Sequence, residues 1–92
     1  MVAVIIKNKV TDRGAYLPLA KAFAEDGSKE KGCIEMKVYV DPEDKEHVYF
    51  ITKWEAKSDF ENHVKGDVFA KHIPAMGQYY VSGTDTILEL AE

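Results

Sequence analysis

Cysteine is all but missing: Cys33 is the one thiol in 92 residues. No intrachain disulfide can form, which excludes a disulfide-stapled scaffold and makes a reducing cytoplasm the expected setting. Long apolar runs are missing too. The opening run Val2–Ile6 is too short for a signal peptide and has no basic segment before it, and no stretch approaches a membrane span. Clustered positive charge is absent: the net charge is −4 and the lysines are scattered from Lys7 to Lys71. That excludes a phosphate-tracking surface, so no nucleic-acid or membrane partner is expected. There is no glycine-rich phosphate loop, no GxSxG and no CxxC. His47, His63 and His72 lack the spacing of a zinc site, so no metal is expected.

What is present is an ordinary globular composition, 46% hydrophobic, which rules against disorder. The length predicts one domain over 1–92, with a core so small that dimerisation would help to stabilise it.

Residues 2–10 are β-branched and read as a strand, with Val2, Val4, Ile6, Asn8 and Val10 on one face. A helix is expected from near Ala15 to Gly27 as its C′ residue, with Pro18 in the first turn. Residues 33–40 alternate, with Ile34, Met36, Val38 and Val40 apolar against Glu35, Lys37 and Tyr39. After a turn at Asp41–Lys45, a third strand over 47–55 puts Val48, Phe50, Thr52 and Trp54 on one face. Ser58-Asp59-Phe60-Glu61 has the form of a capping box. Gly66 stops that helix, Asp67 caps a second one carrying Phe69, His72 and Ile73, and Pro74 limits its length. The last strand is expected at 84–90.

The order is β-α-β-β-α-β with the second helix broken in two. It predicts an α+β, ferredoxin-like fold: a four-stranded antiparallel sheet with helices on one face. The other sheet face mixes Ala3, Ile5, Cys33, Tyr39, Tyr49 and Ile51 with Lys7, Glu35, Lys37 and Lys53. It is too apolar to stay wet and too charged for a core, so a second copy is expected to cover it, giving a dimeric α+β barrel.

Several residues carry candidate chemistry. Asn8 stands on an apolar, helix-facing strand face. Either it bonds a nearby backbone group or it is the polar anchor of a small-molecule pocket. Trp54 is either core or an aromatic wall, and Met36, Phe50 and Phe69 complete the expected walls. His63 borders the apolar side of its helix and His72 lies between Phe69 and Ile73. Either is a general-base candidate, since imidazole titrates near working pH.

Four features together resemble the antibiotic biosynthesis monooxygenase superfamily over nearly the whole chain. They are Gly32-Cys33 before the second strand, Trp54-Glu55 ending the third, His63 in the following helix, and Asp67-Val68-Phe69 opening the next. The resemblance implies the dimeric barrel and a pocket between sheet and helices. It also implies, in many members, oxygenation of aromatic or quinol-like substrates by O₂ without metal or flavin. On that footing the chain is expected to be a homodimeric, cofactor-independent monooxygenase acting on a small aromatic metabolite. His63 would be the base, His72 a secondary proton carrier, and Asn8, Met36, Phe50, Trp54 and Phe69 would bind substrate. Two alternatives stand beside it. One is a haem-degrading branch, in which Asn8 matches a strand-one asparagine and His72 lies near the ligand histidine, while His63 occupies its tryptophan position. The other is a non-catalytic dimeric module binding a small ligand.

Overall fold

The computed structural model describes all residues, Met1–Glu92. The elements are β1 (Val2–Val10), α1 (Arg13–Gly27), β2 (Cys33–Asp41), β3 (Asp44–Trp54), α2 (Lys57–Val64), α3 (Asp67–Met76) and β4 (Tyr80–Glu89). The strands form one antiparallel sheet in the order β2-β3-β1-β4, with β1 and β3 in the middle. This is the expected ferredoxin-like α+β fold.

Register explains the layers. Val2 pairs with Trp54, Val4 with Thr52, Ile6 with Phe50 and Asn8 with Val48, so these eight residues share the helix-facing side. Val4, Val48 and Trp54 are completely buried there, beneath Tyr16, Ala20 and Phe23 of α1. Removing a side chain as large as Trp54 from such a core costs about 3–5 kcal/mol.

Several boundaries differ from the sequence reading, each for a local reason. The first helix starts two residues early because the Asp12 carboxylate accepts from the Ala15 N–H at 3.1 Å. Pro18 therefore lies in the second turn, and Gly27 is the last helical residue, with Ser28 closing the end through its N–H to the Ala24 carbonyl. The expected turn at 41–45 shrinks to Pro42-Glu43. Arg13 grips the hairpin through Nη1, which donates to the carbonyls of Asp41 and Asp44 at 3.1 and 2.9 Å.

Ser58 does not cap α2. The strand ladder continues to a Glu55 N–H bond with the Gly32 carbonyl, and the chain turns helical directly after Ala56. Asp59, not Glu61, reaches back to the Ala56 N–H at 3.2 Å. In α3, Gly66 is the cap and Asp67 the first helical residue, where its charge still favours the helix N-terminus. Pro74 does not stop α3 before Met76. The last strand begins at Tyr80 rather than at 84.

In β2 the clean alternation fails at its start. The ladder skips between Cys33 and Glu35, so Ile34 bulges out, 51% exposed, and Cys33 packs on the helix-facing side rather than the open one. A second irregularity between Tyr39 and Asp41 leaves Val40 exposed as well. The helices cover β2, β3 and β1. Every residue of β4 is exposed. No helix is long and apolar enough to cross a membrane.

Candidate functional site

Between the helix-facing side of the sheet and the three helices lies an open cavity of about 360 Å³. Its walls are mostly apolar. Ile6 and Phe50 form the floor, Phe23 comes from α1, and Phe60, Phe69, Ile73 and Met76 come from α2 and α3. The break at Gly66 makes this roof possible: two short helices turn two separate apolar faces onto one space. Polar groups enter at only a few points, which is the composition of a small-molecule site.

The first polar point is His63, only 3% exposed. Its ring is packed against Trp54 at 5.1 Å, Phe23 at 5.4 Å and Phe69 at 5.8 Å between centroids. Nδ1 lies 2.5 Å from Oε1 of Glu30, in the loop between α1 and β2. A carboxylate only accepts, so Nδ1 carries a proton, and in the neutral ring Nε2 is the nitrogen that keeps the lone pair. Nε2 makes no bond within the protein, yet it is not among any sealed, unpartnered atoms, and His63 lines the cavity. The imidazole is thus fixed in tautomer and angle by Glu30, with its free nitrogen turned to the cavity.

The second polar point is Asn8, whose Nδ2 donates to the Tyr16 hydroxyl at 3.3 Å. Both readings of Asn8 offered by the sequence meet here in altered form. The amide has an internal partner, a side chain rather than backbone, and it also lines the cavity. Burial pushes the Tyr16 phenol above its usual range; the Asn8 bond pulls it down and the nearby Tyr80 phenol pushes it up further. The amide oxygen of Asn8 and the Tyr80 hydroxyl both lean over Gly83, where a Cβ would collide with them.

The structure therefore brings together Asn8, Phe50, His63 and Phe69 of the residues singled out from the sequence. It does not bring Trp54, Met36 or His72 to the cavity. Trp54 is wholly buried because its indole N–H finds an acceptor two residues away: Nε1 donates to Thr52 Oγ1 at 3.0 Å, which donates to the Val4 carbonyl at 3.1 Å. It backs the His63 ring instead of forming a wall. Met36 fills the space under Gly27, where a Cβ would come within 2.6 Å of its sulfur. His72 is held by Asp26 of α1, Nε2 to Oδ2 at 2.7 Å, and joins α3 to α1.

Sequence reasoning missed Glu30 and Asp85. Glu30 sits in a mixed-charge loop that carries no local sign of folding back on a helix. Asp85 was legible in principle, since alternation with Thr84, Thr86 and Leu88 puts it on the opposite face of β4, and its partner Ile6 makes that face the cavity side. Tyr80, at the start of β4, lines the cavity as well.

No group of three His, Cys, Asp or Glu side chains is placed to hold a metal ion. His72, the histidine nearest the expected haem-ligand position, has Nε2 engaged by Asp26 and does not line the cavity.

The sequence model described as antibiotic biosynthesis monooxygenase matches residues 1–75. No curated protein matches the sequence. Among solved structures, a conserved protein from Methanosarcina mazei is 25% identical, with a TM-score of 0.83 over 94% of this chain and 88% of that one. A putative antibiotic biosynthesis monooxygenase from Nitrosomonas europaea superposes over all of both chains at 12% identity and a TM-score of 0.89. SnoaB, a cofactor-independent oxygenase from Streptomyces nogalater, is 11% identical with a TM-score of 0.86, covering 99% of this chain and 93% of that one.

Proposed function

The chain belongs to the antibiotic biosynthesis monooxygenase family, and from that membership we propose that it is a cofactor-independent monooxygenase acting on a small aromatic or quinol-like metabolite with O₂. One observation carries the reading: a buried histidine, oriented through Nδ1 by Glu30 at 2.5 Å, presents its other nitrogen to an apolar cavity. SnoaB, of the same fold, is described as a cofactor-independent oxygenase.

In the proposed reaction His63 Nε2 takes a proton from an activated C–H of the aromatic substrate. Glu30 stabilises the imidazolium that results. The substrate anion, delocalised over its rings, gives one electron to O₂, leaving a substrate radical beside superoxide. These combine to form a C–O bond, and the imidazolium returns its proton to give a hydroperoxide. Loss of the second C–H proton and cleavage of the O–O bond release water and leave a carbonyl. Net, CH₂ and O₂ become C=O and H₂O. Apolar walls favour this chemistry by raising the energy of a hydrated substrate anion less than they exclude competing water. The cavity holds the rings in place while O₂ arrives. His72 belongs to the helix scaffold in this scheme and does not relay protons to the substrate.

The working molecule is proposed to be a two-fold dimer whose open sheet faces pack together. Supporting this, Tyr39 and Leu88 on that face are each about half exposed (48% and 49%), beside partly buried Ile5, Tyr49 and Ile51.

The test is oxygen uptake with naphthohydroquinones and anthrone-like hydroxyaromatics. His63→Ala is expected to lower turnover by about 10²–10⁴-fold, and Glu30→Gln by at least tenfold or so. Unchanged turnover in His63→Ala would remove the proposed base. Tight ligand binding with no oxygen uptake on any substrate would leave a binding module in place of an enzyme.

A further inference from the structure

The two ends of the cavity differ in chemistry. At one end is the imidazole of His63. At the other, three oxygen-bearing side chains gather near the edge strand: Asn8, Tyr80 and Asp85. The Asn8 amide gives one N–H to Tyr16 and lays its carbonyl oxygen against Gly83. Asp85 pairs across the sheet with Ile6 and points to the cavity side of β4. It forms no ion pair within the protein. No lysine or arginine lines the cavity.

This far end therefore offers one anionic acceptor, two further oxygen acceptors and no cationic group. A ligand group with an O–H or N–H satisfies it. A ligand carboxylate meets a like charge with no cation to offset it, and like-charge contact in a partly desolvated site is a strong rejection. The distance is suitable for flat molecules. Two ring-to-ring steps, His63 to Phe23 at 5.4 Å and Phe23 to Phe50 at 5.6 Å, lead from the imidazole to the ring beside Ile6, and Asp85 lies on the next strand beyond Ile6. Fused aromatic rings fill such a span.

We propose that Asp85, together with the Asn8 carbonyl and the Tyr80 hydroxyl, is a specificity determinant. It admits aromatic substrates whose end remote from His63 bears a hydrogen-bond donor, and it rejects those bearing a carboxylate there. The proposal rests on the cavity being the substrate site; it does not require that oxygenation occur.

Three probes of one shape test it: 6-amino-2-naphthol, 2,6-dihydroxynaphthalene and 6-hydroxy-2-naphthoate. Binding is read without oxygen by calorimetry and by quenching of Trp54, which lies directly behind His63. The amine and the diol are expected to bind at least about tenfold more tightly than the naphthoate, a factor set by roughly one unfavourable charge contact. Asp85→Asn, nearly the same shape, should bring the three within about threefold, and Asp85→Lys should reverse the order. Asp85 is exposed on an edge strand, and unchanged thermal unfolding of both variants checks that they fold. Equal binding of all three by the native protein, a preference that survives Asp85→Asn, or no binding of any probe would overturn the proposal. Preserved selectivity with no oxygen uptake would instead count against the monooxygenase reading alone.

Discussion

Asp26 and His72 are the contact through which α3 is held to α1. The hydrogen bond from His72, aided by the nearby Lys71 ammonium, keeps the Asp26 carboxyl below its ordinary value of 3.8. A carboxyl depressed in the folded state contributes stability above its unfolded value, and that contribution is lost as pH falls through the folded value. Acid should therefore loosen the α3 roof by protonating Asp26. Glu35, beside Lys37, and Asp44, accepting from the Glu46 N–H, are depressed too and act with the same sign. Asp26→Asn is expected to lose less stability than the native protein between about pH 5 and pH 3, as read from urea midpoints at each pH. A slope identical to the native one would show that Asp26 is not a source of acid sensitivity. These carboxyls are only partly buried and screened by solvent, so the effect is a change of slope and not a large change in stability at neutral pH.

At the scale of elements, the entry to α2 depends on a distant glycine. Gly32 has φ of +80°, and its missing side chain leaves room for the Asp59 carboxylate that bonds the Ala56 N–H. Gly32→Ala adds left-handed strain and pushes Asp59 away from its bond. The expected cost is about 2 kcal/mol in chemical denaturation, and a loss below about 0.5 kcal/mol would contradict the account. This contact also shows what was legible in the sequence and what was not. Period-two alternation in β1 and β3 is long, so their faces followed from it directly, and the break between the last two helices followed from Gly66. In β2 the bulge at Ile34 is invisible to periodicity, because a local skip is set by pairing with β3; it carried Cys33 to the other side. Asn8, Phe50, His63 and Phe69 reached the cavity because each sits on an apolar face whose direction was clear. Trp54 stayed out because Thr52, two residues back on the same face, satisfied its N–H. Glu30 could not be read at all, since its role comes from a loop folding onto a helix 33 residues later.

For the whole molecule, the open sheet face is the surface on which the proposed dimer would form. Apolar Ile5, Ile51 and Leu88 alternate there with Glu35, which bonds Lys37 and Lys53 at 3.1 and 3.6 Å. Glu35 offsets one of the two lysine charges in the plane of the sheet, and the half-exposed lysine heads can stay at the rim of a twin surface that covers the apolar residues. Analytical ultracentrifugation is expected to find a dimer at about 10 μM, an ordinary concentration for a stable interface of this kind. Ile5→Glu should shift it to a monomer. A native protein that sediments as a monomer at millimolar concentration would defeat the dimer proposal.

The strand order has a consequence for biosynthesis. β1 lies between β3 and β4, so the first strand of this sheet to be translated is the one whose hydrogen-bonding neighbours arrive late. One flank is met only once β3 has been translated, and the other only after Tyr80 onward has emerged. Until then Val2–Ile6 is a bare, sticky ribbon of β-branched residues, the sort of unpaired edge that recruits stray chains. Nascent polypeptides stalled before β4 are thus the form of this protein most in need of a chaperone.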